Sequence, residues 1–144
     1  MACPRCAWLV FLGCFLLSGC GGATSRLVTV RAGTGTGDVE LEVQNASDTP
    51  VNALFMAKTE AVEAADPDRL DGDSMAGQAV WGADLLTTSA IGSGERRRIP
   101  VREPGRWDVR AVDRDDREQH VTGLKLQAGG RYILELNEGG WRVR

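Results

Sequence analysis

From Val39 onward, apolar and polar residues alternate with a period of two. Val39, Leu41 and Val43 fall on one face and Glu40, Glu42 and Gln44 on the other, the pattern of a half-buried strand. Asn45-Ala46-Ser47-Asp48-Thr49-Pro50 has the composition of a turn. Val51 to Ala57 is a second strand, and Leu54-Phe55-Met56 makes it apolar on both faces, which predicts a central position. Together the two strands predict a hairpin. Glu95 to Val101 alternates again, and Pro100 places that strand at an edge. In Gly105 to Val112, Trp107, Val109 and Ala111 share one face, with Asp108, Arg110 and Val112 on the other. Glu118 to Leu126, Arg131 to Leu136 and the stretch Trp141-Arg142-Val143 complete the series. The turns at 113–116, 128–130 and 137–140 punctuate it.

The period breaks in two places. Residues 58–80 predict a short helical or irregular insertion: Glu60 to Ala65 suits one or two helical turns, Asp66-Pro67 ends it, and 68–77 is polar loop. Residues 21–37 predict a flexible tether, with a possible first strand at Arg26 to Arg31 before the Gly33-Thr34-Gly35-Thr36-Gly37 loop. That loop is no dinucleotide-binding turn, because another strand follows it where a helix is required. Seven to eight short strands at this spacing predict an all-β protein, a β-sandwich over residues 38–144.

The first twenty residues follow a different logic. Arg5 supplies a positive charge, and Cys6 to Leu17 is an apolar run shorter than the roughly 18 residues a spanning helix needs. Leu17-Ser18-Gly19-Cys20 resembles the bacterial lipobox: an aliphatic residue, two small ones that fit a narrow peptidase subsite, and a thiol that takes the diacylglycerol. The resemblance implies a signal peptide over 1–19 and a bacterial lipoprotein acylated on Cys20, with fatty acyl groups such as palmitate. Two or more chains hold a protein stably at a bilayer. The residues after Cys20 are Gly21-Gly22-Ala23, without the Asp that retains such proteins at the inner membrane of enteric bacteria. The expectation is therefore the cell envelope, and the outer membrane if the source has one. Cys3, Cys6 and Cys14 leave with the signal, so neither a disulfide nor a Cys metal site is expected.

Without residues 1–19 the chain has 16 basic and 20 acidic residues, Arg5 being the one charge lost. A mixed, mildly acidic balance gives no electrostatic reason to expect nucleic acid. The remaining length suits one domain with a working core.

Three segments carry a second resemblance: Val43-Gln44-Asn45 ahead of a strand containing Leu54-Phe55, then Trp81-Gly82-Ala83-Asp84-Leu85-Leu86, then Trp107-Asp108-Val109-Arg110-Ala111-Val112-Asp113. Over roughly residues 39 to 136 the chain resembles a group of small exported bacterial domains. The resemblance implies an immunoglobulin-like or transthyretin-like sandwich and no catalytic residue. The long acidic stretch before Trp81 departs from the pattern.

Candidate chemistry is sparse. His120 is the single histidine and reads as a solvated strand residue, with no nucleophile elbow to serve. One His with carboxylates is a poor zinc set. Asp66, Asp68, Asp71 and Asp73 place oxygen ligands in a loop and suit Ca²⁺, although Leu70 interrupts EF-hand spacing and no Glu closes the loop. The plainer reading is a solvated acidic loop, and Asp113, Asp115 and Asp116 read as a turn. Arg96-Arg97-Arg98 reads as a charged strand edge that discourages sheet-to-sheet association, with lipid headgroup contact as the alternative. Trp81, Trp107 and Trp141 read as packing residues, with Trp81 as a core plug followed inward by Leu85 and Leu86; sugar stacking is the competing role. The leading functional expectation is a membrane-anchored, non-catalytic module that contacts another envelope protein or the cell-wall polymer, with no cofactor. The alternative is a ligand- or Ca²⁺-binding module using the 58–80 loop.

Overall fold

The computed structural model describes residues 22–67, 70 and 74–144. Eight strands form two four-stranded sheets that pack face to face: β1 (Arg26–Arg31), β2 (Glu40–Ala46), β3 (Val51–Lys58), β4 (Arg96–Pro100), β5 (Gly105–Asp113), β6 (Arg117–Leu126), β7 (Arg131–Asn137) and β8 (Arg142–Val143). The first sheet has the order β1-β7-β2-β4 and the second β3-β5-β6-β8. All pairings are antiparallel except β2 with β7, which run parallel from Glu40↔Arg131 to Ala46↔Asn137. The protein is thus an all-β sandwich, and the expected first strand belongs to it, since Arg26 to Arg31 pairs with β7.

Alternation sorts the inner residues. Leu41, Val43, Leu134 and Leu136 of the first sheet meet Leu54, Val109, Ala111, Leu124 and Leu126 of the second, all buried in one core with Leu86, Ile91, Ile99 and Trp141. On the outer face of the first sheet the same period lines up charges. Arg26 pairs with Glu135 at 2.6 Å, and Arg131 pairs with Glu42 at 3.1 Å. The exposed face is therefore a solvated ladder of mixed sign.

Two expectations are overturned. β2 and β3 are not a hairpin. The turn after β2 carries the chain across the sandwich, so β2 pairs with β4 and β7 while β3 pairs with β5. Asn45 directs this crossing. It is fully buried, its Nδ2 donates to the Thr49 and Ile91 carbonyls, and its Oδ1 accepts from the Ser47 amide and hydroxyl. Nor is β3 central. It is the edge of the second sheet, and the segment after Trp81 covers it. The Leu54 amide donates to Asp84 Oδ1 at 2.9 Å, the Leu85 amide donates to the Leu54 carbonyl at 2.8 Å, and Ile91 bridges Val51. A buried edge needs such acceptors and donors, because unpaired backbone groups there are costly. β4 is an edge strand, as Pro100 implies.

Among the described residues the insertion holds two short helices, α1 (Thr59–Ala64) and α2 (Met75–Trp81). Ser74 caps α2 by accepting the Gly77 amide at 2.9 Å, and Gly82, at φ 74°, ends it. α2 lies in a stretch that reads as loop followed by a compact Trp segment, so here the sequence expectation is corrected. Both helices pack against the second sheet, α1 on β3 and β5 and α2 on β3.

Candidate functional site

The second sheet is covered at one edge and open at the other. β8 pairs with β6 only at Arg117↔Val143 and Glu118↔Arg142. From Gln119 to Leu126 no strand among the described residues lies beside the outer edge of β6. An antiparallel strand edge presents a row of backbone donors and acceptors that another extended chain can join. A bulge at Thr122-Gly123, where Gly123 adopts φ 68°, interrupts the row and leaves Gln119–Val121 as its regular part.

A cleft of about 510 Å³ lies along this stretch, walled by Thr24, Ser25, Gln119, Thr122, Gly140 and Arg142 among others. Its far wall is the start of the described chain. The Gly139 amide donates to the Ala23 carbonyl at 3.1 Å, Asn137 Nδ2 donates to the Thr24 carbonyl at 3.0 Å, and the Asn137 amide donates to Ser25 Oγ at 3.0 Å. Residues 22–25, expected as tether, are therefore pinned to the corner after β7. Gly139 and Gly140 permit the close approach. A Cβ at Gly139 would sit 2.0 Å from the Gly22 oxygen, and one at Gly140 would sit 2.3 Å from Gln119 Oε1. Gln119 is buried; its Oε1 accepts from Ser25 Oγ, while its Nε2 has no acceptor among the described residues. A buried amide N–H without a partner calls for one.

The outer side of β6 is electrostatically organised. Phe55, Arg110 and His120 are register partners across β3, β5 and β6, so they share a face. Arg110 is 2 % exposed and lies over the Phe55 ring, 5.1 Å from its centroid. It is paired with Glu118, which also meets Arg144 at 2.7 Å and His120 Nε2 at 3.2 Å. Burial alone raises the Glu118 pKa, but the hydrogen bonds from Arg110 and His120 and the charges of Arg110 and Arg144 outweigh it. The carboxyl is held below its ordinary range. Asp108, also buried, accepts from Thr59 Oγ1 at 2.7 Å and from the Gly123 amide at 2.8 Å, so it fixes both the start of α1 and the bulge. Alternation alone puts Arg110 and Asp108 on the solvent side. They are buried because the insertion roofs that face. The one signal available in the sequence is the insertion's own apolar residues, Val62, Val80 and Trp81, which need a surface to cover.

The remaining candidates separate. Cys20, Asp68, Asp71 and Asp73 lie outside the described residues; Asp66 is exposed at the end of the α1 segment. Among the described residues no group of three or more His, Cys, Asp or Glu is placed to hold a metal ion. Asp113 is buried and accepts from the Asp115 and Arg117 amides, both at 2.9 Å, which builds the β5–β6 turn. Arg97 turns away from Arg96 and Arg98 and donates to the Ser89 and Ala90 carbonyls, tying the covering segment to β4. His120 is exposed, with its ring against Trp81 at 5.6 Å between centroids. Trp81 is buried, but it sits apart from the inter-sheet core, on the side of the second sheet that His120 occupies. It therefore plugs the roof and not the core, while Leu86 alone of the pair after it is buried in the core. Trp141 is in the core, and Trp107 packs half-buried at its margin with Lys58 Nζ 4.4 Å from its ring centroid.

Comparison with protein-family models, with curated proteins and with solved structures returned no match to this chain.

Proposed function

We propose that this protein is a lipid-anchored envelope module that works by contact and not by catalysis. Cys20 is acylated, and the sandwich is held close to the membrane, because residues 22–25 are already docked to its 137–140 corner. The observation that carries the contact reading is the edge of β6, unpaired among the described residues, beside a cleft at that same corner. An extended segment of another envelope protein adds to Gln119–Val121, its backbone completing the edge. A cell-wall polymer is the other ligand class, with the Thr24, Ser25 and Thr122 hydroxyls along the cleft as its contacts.

Support for a non-catalytic reading comes from His120. Its Nε2 is engaged by Glu118 and its ring by Trp81, and no Ser, Thr or Cys side chain hydrogen-bonds to it among the described residues. Chemical crosslinking in intact cells followed by purification of the chain tests the proposal. It predicts a discrete protein or wall adduct that a Cys20→Ala form fails to give. Crosslinking that yields neither adduct, or identical adducts from the Cys20→Ala form, contradicts it.

A further inference from the structure

On the opposite flank of the sandwich from the β6 edge lies a second concavity, between the end of β4 and the covered edge of β3. It measures about 320 Å³ and is lined by Met56, Trp81, Leu85, Pro100 and Trp107, with Arg102 at its mouth. The segment Trp81-Gly82-Ala83 forms one wall, so the Trp-Gly turn that ends α2 also shapes the cleft. Arg102 is its one charged lining residue. It is exposed and makes no ion pair or hydrogen bond among the described residues. Other arginines nearby are engaged: Arg97 with the Ser89 and Ala90 carbonyls, and Arg106 with Glu63 at 3.3 Å.

An apolar concavity with a single convergent charge is the usual build of a small-ligand site. We infer that this cleft binds a fatty-acyl carboxylate, with its chain against Met56, Leu85 and the Trp107 edge and its carboxylate on Arg102. Two features favour an acyl chain over a flat ring. Lys58 already occupies one face of the Trp107 indole, and His120 meets Trp81. Met56 and Leu85 offer flexible aliphatic contact of the kind that adapts to a chain. The charge selects an anion, because no lining carboxylate competes for Arg102.

The test is titration of the chain lacking residues 1–19, with Cys20→Ser, followed by tryptophan fluorescence. The probes are octanoate, octanol and octylamine, with phenylacetate as the aromatic arm. The inference predicts a saturable change with octanoate that exceeds any with octylamine or phenylacetate. Arg102→Ala is exposed and leaves the fold intact; it should weaken octanoate roughly fivefold, the scale of one exposed ion pair. It should leave octanol unchanged. Ala83→Phe, which fills the cleft from an exposed position, should abolish the response, while Arg114→Ala on another loop should not alter it. No saturable response to octanoate, equal binding of octylamine, tighter binding of phenylacetate, or unchanged affinity in both Arg102→Ala and Ala83→Phe would overturn the inference.

Discussion

Asp84 accepts the backbone amide of Leu54 at 2.9 Å and, through the same Oδ1, the amide of Leu86 at 3.0 Å. One carboxylate thus seals the edge of β3 and fixes the turn that sends Leu86 into the core. The Trp-Gly-x-Asp-Leu-Leu segment is a coherent unit in this light. Trp81 closes the roof, Gly82 ends α2, Asp84 caps the strand edge, and Leu86 fills the sandwich.

Replacing Asp84 by Ala leaves two inward-facing amides without their acceptor. Thermal or urea unfolding should show a loss of about 1–3 kcal/mol, with Asp84→Asn recovering most of it because an amide oxygen can still accept. Wild-type stability in Asp84→Ala would mean that water replaces the carboxylate at this edge, and that the edge is open there.

Trp81→Ala removes a side chain that is 2 % exposed. The expected cost is about 3–5 kcal/mol, the range for a buried Trp. Because Trp81 roofs the second sheet, the Trp81→Ala protein should also lose protection from hydrogen exchange in α2 before the core strands. Simultaneous loss across both sheets would place Trp81 in the main core after all.

Asp108 ties the start of α1 to the β6 bulge through Thr59 and Gly123. Asp108→Ala should destabilise by about 2–3 kcal/mol, since hydrogen bonds to a charged acceptor are the stronger kind. Thr59→Val breaks only one of the two bonds and should cost less. An equal loss in the two forms would contradict the double role.

Glu118 sets a pH dependence. Its folded-state pKa lies below the ordinary value of 4.5, so the carboxylate stabilises the fold above that value. The contribution falls away as pH drops through the lower, folded-state pKa. Melting temperature should therefore decline on acidification below about 4.5, and Glu118→Gln should flatten that decline while lowering stability near neutrality. An unchanged acid slope in Glu118→Gln would assign the effect to another carboxylate.

The strands were legible in the sequence because a side chain's side of a sheet follows from period two alone. Val39, Leu41 and Val43 are buried and Glu40, Glu42 and Gln44 are not. Strand pairing was less legible. A polar turn such as 45–50 shows that the chain reverses, but not whether it stays in one sheet. Here the buried Asn45 network sends it to the other. The double-sided apolarity of β3 misled in a related way: Phe55 faces a roof and Leu54 faces the core, which mimics a central strand. α2 was less legible because Gly77 lies in its interior and a polar sequence precedes it, although Ser74 and Gly82 are ordinary helix boundaries. The β6 edge and its cleft were not legible at all, since they depend on how far β8 runs beside β6 and on where Ser25 docks.

The most direct measurement of the central claim is site-specific photocrosslinking in living cells, with the photoreactive residue at Thr122 on the open edge and, separately, at Met75 on the roof. Both positions are exposed. The account predicts a discrete adduct from Thr122 and none of the same mass from Met75. No adduct from Thr122, or the same adduct from both positions, would contradict a function carried by the β6 edge.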